Sequence, residues 1–230
     1  MKIIEKIVNS VKDKYNHPMP SIAFLGDSVT EGIFKIREDY KSSYPYKVKN
    51  LLYNIFPSAN VNIINAGIGG TNALLGAERL ERDVLSKNPD LCVVCFGLND
   101  SLAGPAKLSE YTDALSEIFE RLQKNGVEII FMTPNMMCTY FDKELVPSIY
   151  APEIDGFINV QNSGILDMYM DAAREVCVKH NVPLCDCYAK WKVMCENGVD
   201  TTKLLANGIN HPTPELHDLF AASLVETMFK

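Results

Sequence analysis

The chain has 230 residues, a formal net charge of −7 and 47% hydrophobic residues, which is enough apolar material for a sizeable core within one domain spanning 1–230. An acidic balance excludes a phosphate-backbone reader, which needs a clustered basic face, so no nucleic-acid partner is expected. No run approaches the roughly 18 consecutive apolar residues of a membrane span, and no membrane insertion is expected.

In chain order, Met1-Lys2-Ile3-Ile4-Glu5-Lys6-Ile7-Val8 has apolar residues at helical spacing broken by charges, which predicts a surface helix rather than the unbroken apolar core of a secretory signal. β-Branched apolar runs at 21–25, 61–66, 91–96, 127–132 and 182–187 then alternate with amphipathic stretches at 45–56, 71–87, 107–124, 161–180 and 214–229. Turn signals agree: Asn88-Pro89-Asp90 precedes the third run, Asn125-Gly126 the fourth, and Asn181 with Pro183 opens the fifth. Strand-helix alternation of this kind predicts an α/β, doubly wound, mainly parallel five-stranded sheet with helices on both faces, flavodoxin-like in layout. The stretch from Thr133 to Asn159 has three prolines and no sustained period; it leaves the carboxyl edge of the sheet and is read as a substrate wall or a packed insertion. A polar loop from Phe34 to Ser43 leaves the same edge, and its charges are read as solvation. Seven cysteines, several inside apolar runs, are expected reduced, in a cytoplasmic protein. Cys92 and Cys95 have the redox spacing, but they fall mid-strand on opposite faces.

Four short signals carry chemistry. The first strand ends in Gly26-Asp27-Ser28, the second in Asn65-Ala66-Gly67-Ile68-Gly69-Gly70-Thr71-Asn72, the third in Gly97-Leu98-Asn99-Asp100, and Asn210-His211-Pro212 lies near the C-terminus. Carboxyl ends of neighbouring strands converge in a doubly wound sheet, so one crevice can gather all four. A serine hydroxyl needs a base and oxyanion donors to attack a carbonyl; His211 is the candidate base, and the Ser28 N–H, the Gly70 N–H and the Asn99 amide are the candidate donors. The glycine turn lacks both the last glycine of a dinucleotide fingerprint and a P-loop lysine, and no His/Cys/Asp spacing suits zinc, so neither cofactor nor metal is expected. His217 is expected to be exposed and structural, early in a helix that Thr213 caps and Pro214 begins. His17 and His180 sit at element ends.

With these blocks the chain resembles the SGNH hydrolases, the GDSL esterase/lipase superfamily, over nearly its whole length, with Val29 where Leu is usual. The resemblance implies that Ser28 attacks an ester carbonyl, that Gly70 and Asn99 complete an oxyanion hole, with Gly69 the competing glycine, and that His211 is the base. Asp27 belongs to the first block. The family pattern also has an Asp three residues before the histidine, where this chain has Gly208. The group that orients His211 is therefore open: a backbone carbonyl near Gly208, the Asn207 or Asn210 side chain, or the Asp200 or Asp186 carboxylate, with a carbonyl or an Asn favoured. The implied function is a serine esterase that removes a short-chain acyl group, acetyl first, from a small-molecule ester such as an acylated carbohydrate. The alternatives are a non-catalytic binding module of the same fold, a lysophospholipase or thioesterase, and a flavodoxin-like flavin or nucleotide carrier. A homo-oligomer is left open.

Overall fold

The computed structural model describes residues 1–230. Five strands, β1 (Ser21–Gly26), β2 (Asn62–Gly67), β3 (Leu91–Cys95), β4 (Glu128–Met132) and β5 (Leu184–Cys185), form one sheet in the order β2-β1-β3-β4-β5. All four pairings are parallel. Every residue of β3 is buried, as expected of a central strand covered on both faces. Gly26 is level with Gly67 on one side and Cys95 on the other, so the loops after β1, β2 and β3 leave the sheet side by side.

Ten α-helices cover the sheet and its carboxyl edge: α1 (Lys2–Lys12), α2 (Ser28–Glu31), α3 (Tyr44–Ile55), α4 (Ala73–Asp83), α5 (Leu98–Ser101), α6 (Leu108–Lys124), α7 (Ile154–Asn162), α8 (Ile165–His180), α9 (Cys187–Glu196) and α10 (Leu216–Met228). Helices α3 and α10 pack together, while α4, α6 and α8 pack in series. A single cluster of 60 buried hydrophobic residues joins these layers to the sheet. Helix α1 turns Ile3 and Ile7 into that cluster, and its first N–H groups donate to the Glu128 carboxylate at the start of β4.

Three elements depart from the periodicity. The last strand is two residues long rather than six, because Pro183 interrupts the run and Asp186 already caps α9, a helix the spacing did not predict. The expected 161–180 helix is two helices, broken at Ser163-Gly164 where Gly164 adopts φ +77°. The last helix begins at Leu216 rather than Pro214, with Glu215 and not Thr213 at its N-cap; Thr213 accepts the Leu216 and His217 N–H groups through its carbonyl, not its side chain.

Candidate active site

The strand order reverses between β1 and β3, and the crevice lies at their carboxyl ends. After Gly26 the chain turns directly into α2, whose N-cap is Asp27: its carboxylate accepts the Val29 N–H at 2.9 Å and presents Ser28 as the first helical residue. Burial pushes the Asp27 carboxyl up to about 7, the Val29 hydrogen bond opposing and the nearby Asp100 adding to the rise. The turn is clamped from below by Arg79 of α4, whose guanidinium donates to the carbonyls of Gly26 at 2.8 Å and Ala66 at 2.6 Å. Both bonds are buried, so Arg79 fixes the ends of β1 and β2 relative to each other.

His211 arrives from the far end of the sequence on a tight turn. Ala206 donates to the His211 carbonyl at 2.7 Å, Leu205 and Pro212 form an antiparallel bridge, and the Asn207 side-chain oxygen accepts the N–H groups of Ile209, Asn210 and His211. The His211 Nε2 lies 2.8 Å from Ser28 Oγ, and Nδ1 lies 2.9 Å from the Phe34 carbonyl oxygen. A carbonyl only accepts, so Nδ1 carries the proton and Nε2 is left to accept from the serine hydroxyl. Burial pulls the imidazole down to about 4, with the Phe34 bond opposing, so the ring is neutral at pH 7.

The orienting group is a carbonyl, but it belongs to the loop after α2 rather than to the neighbourhood of Gly208. Asn207 is engaged with the turn backbone and with Asn210, and the Asn210 Oδ1 accepts from Asn207 Nδ2 at 3.1 Å. Asp200 accepts from the Tyr140 hydroxyl, and Asp186 caps α9 while pairing with Arg174. None of the four side chains considered for His211 Nδ1 is its partner. Gly208 has φ +65°, and a Cβ there would meet Leu145 Cβ at 2.7 Å. A side chain is therefore strained and crowded at the position where the resemblance would place an acid.

Ser28, Gly69, Gly70, Asn99 and His211 line one cleft of about 530 Å³. Asn99 donates one amide hydrogen to the Thr71 carbonyl at 2.8 Å, which orients the side chain and leaves its second hydrogen free. The Gly69 N–H is held by the Glu31 carboxylate at 2.6 Å, whereas the N–H groups of Ser28 and Gly70 have no protein acceptor. Gly70 has φ +74° with open space around it. Three donors, two from backbone and one from a side chain, are thus unclaimed beside the serine. The Thr133 to Asn159 stretch contributes Tyr150, Glu153 and Phe157 to the wall.

Sequence reasoning missed Phe34, because a backbone carbonyl acceptor has no residue-type signature. The loop's charges are indeed exposed, but Phe34 itself is buried. Glu31, Glu153 and Phe157 were missed as cleft residues; the position of Glu31 three residues after Ser28, on the same helix face, was the available signal. His217 is fully buried, not exposed: it accepts the Tyr44 N–H at Nδ1 and packs on the Phe34 ring at 4.9 Å. Cys92 and Cys95 are buried inside β3, and burial pushes the Cys92 thiol up to about 12, opposite to a redox-active cysteine.

Residues 24–219 match the GDSL-like Lipase/Acylhydrolase family model. The chain belongs to this family. As a member it is a carboxylic ester hydrolase, with the parallel α/β fold of the SGNH esterases. It is 28% identical over 217 residues to the uncharacterized lipoprotein YqeF of Bacillus subtilis, covering 84% of this chain and 83% of that one. It is 29% identical over 86 residues to an acetylxylan esterase of Geobacillus stearothermophilus, covering 34% of this chain and 39% of that one. Among solved structures, a catalytic mutant of an acetylxylan esterase from G. stearothermophilus superposes with TM-score 0.70 at 20% identity, covering 91% of this chain and 94% of that one. A lipase/acylhydrolase from Enterococcus faecalis gives TM-score 0.68 at 24% identity, covering 91% and 95%. At these identities the two structures share the fold. No helix of the GDSL-like hydrolase is long and apolar enough to cross a membrane.

Proposed function

We propose that this hydrolase removes a short acyl group, acetyl first, from a carbohydrate ester by way of an acyl-enzyme, with all 230 residues acting as one catalytic domain. The observation that carries the reading is the 2.8 Å approach of Ser28 Oγ to His211 Nε2, with the Nδ1 proton fixed on Phe34. His211 takes the hydroxyl proton as Oγ bonds to the ester carbon, and the carbonyl oxygen becomes an oxyanion held by the Ser28 and Gly70 N–H groups and the Asn99 amide. The imidazolium returns its proton to the departing alcohol, leaving acyl-Ser28. Water then gives a proton to His211, attacks the acyl carbon through the same oxyanion, and releases the carboxylic acid as Ser28 recovers its proton. No metal or cofactor is invoked in this sequence.

The substrate class rests on the cleft walls. Tyr150 and Phe157 offer apolar surface for a sugar face, and the carboxylates of Glu31 and Glu153 are acceptors for hydroxyl groups. They are the charged side chains of the lining, which disfavours phosphate-bearing alcohols such as lysophospholipids and acyl-CoA. The likeness to acetylxylan esterases points the same way. Initial rates on acetyl, butyryl and octanoyl p-nitrophenyl esters, beside an acetylated xylo-oligosaccharide, test this reading. It expects acetyl to be fastest and the oligosaccharide to lose acetate; octanoyl preference with no acetate release contradicts it.

A second reading, a ligand-binding module that has lost hydrolysis, is favoured by the neutral carbonyl at His211 Nδ1. It expects a bound ester recovered intact after long incubation and no turnover that Ser28→Ala abolishes. A reducing, cytoplasmic location is part of the proposal and rests on seven cysteines without a disulfide, Cys185 and Cys187 among them in hydrogen-bond contact at 3.8 Å.

A further inference from the structure

Helix α2 opens with Ser28 and closes with Glu31, one helical turn on, so both side chains overhang the cleft. Glu31 directs its carboxylate to a backbone N–H, that of Gly69 at 2.6 Å, rather than to a lysine or arginine. The end of α2 is itself held against β2: Asn65 Nδ2 donates to the carbonyls of Thr30 at 2.9 Å and Glu31 at 3.4 Å, while Asn65 Oδ1 accepts the Gly67 N–H at 2.9 Å. Glu31 is thus the α2 side chain that ties the middle of the glycine turn to the nucleophile's helix, while the Ile68 N–H donates to the Gly26 carbonyl at 3.1 Å on one side and Asn99 holds the Thr71 carbonyl on the other. Gly69 and Gly70 lack side chains that could brace the turn, and Gly70 has open space around it.

We propose that Glu31 is a positioning residue of the ester hydrolysis: by holding the Gly69 N–H it fixes the Gly69-Gly70 turn so that the Gly70 N–H, not that of Gly69, is the donor offered to the oxyanion. The inference rests on the serine-esterase reading of the same cleft. It also explains an otherwise unfavourable arrangement, since a carboxylate near a developing oxyanion repels it, and only its role as an acceptor helps the reaction. Acceptor and charge are separable: Glu31→Gln keeps an oxygen for Gly69 and removes the charge, whereas Glu31→Ala removes both.

Steady-state kinetics on p-nitrophenyl acetate and amide exchange of Gly69 by NMR test the proposal on the wild type and both variants. Loss of one aligned donor lowers turnover by roughly 10²-fold, and a loosened donor is expected to cost at least about tenfold in kcat, with KM within about threefold, in Glu31→Ala. Glu31→Gln is expected to stay within about threefold of wild-type kcat or exceed it. Gly69 exchange is expected to accelerate about tenfold or more in Glu31→Ala and to stay near wild type in Glu31→Gln. Wild-type kcat in Glu31→Ala, a Glu31→Gln variant as slow as Glu31→Ala, or equal Gly69 exchange in all three overturns the proposal. If the wild type itself shows no turnover, the esterase reading fails, and the Gly69 exchange rates still judge the tether.

Discussion

Replacing a triad acid by the Phe34 carbonyl has a measurable consequence in the acid limb of the pH–rate profile. The carbonyl fixes the His211 tautomer but carries no full charge to stabilise an imidazolium, while burial penalises that charged form. The folded-state value of about 4 against an ordinary 6.5 corresponds to about 3 kcal/mol of added cost for charging the ring, at 1.36 kcal/mol per pH unit. Since kcat/KM reports the free enzyme, it is expected to stay flat from neutral pH down to about 5 and to fall to half near 4. The assay is p-nitrophenyl acetate hydrolysis in quenched aliquots across the acid range, with Trp191 fluorescence followed in parallel to confirm that the fold persists. A half-maximum at or above about 6 refutes the reasoning, because it requires a solvated ring or a carboxylate partner for His211.

Asn99→Ala is expected to lower kcat about 10²-fold with little change in KM, as loss of one oxyanion donor does; the check is steady-state kinetics beside a melting curve. Gly208→Asp is expected not to raise kcat/KM and to lose roughly 1–3 kcal/mol of stability in urea, since the residue sits at φ +65° and its Cβ would meet Leu145. His217 is drawn down to about 3 by burial, so between about pH 3 and 6.5 the unfolded chain binds the proton that the folded one refuses, and stability falls as pH falls through that window. Urea titrations are expected to show a shallower acid decline in His217→Gln than in wild type, by up to about 1.4 kcal/mol per pH unit.

The sheet and the convergence of Ser28, Gly70, Asn99 and His211 were legible because both follow from one rule: buried parallel strands read as apolar runs, and their carboxyl ends meet. Short elements were less legible. The fifth strand lies at an edge and needs only Leu184 and Cys185 to pair with Phe131 and Met132, so the apolar run around it overstated its length. Helix α9 has no strong amphipathic face, since it packs between α10 and the Thr201–Leu204 turn rather than lying along the sheet. The orienter of His211 was illegible for a different reason. Side-chain acceptors such as Asn207 and Asp186 stand out in a sequence, whereas the Phe34 carbonyl becomes an acceptor only because the chain after Gly32 folds back beneath the histidine. His217 looked like a surface helix residue and is instead a buried acceptor for the Tyr44 N–H, a pairing set entirely by the packing of α3 on α10.

Covalent trapping of the nucleophile tests the central claim most directly: incubation with an organophosphonate ester, followed by peptide mass spectrometry of wild type, Ser28→Ala and His211→Ala. One adduct per chain on the Ser28 peptide is expected, absent in Ser28→Ala and formed far more slowly in His211→Ala. An unlabelled Ser28 in a folded protein, or label placed on another residue with equal speed in all three, contradicts the account.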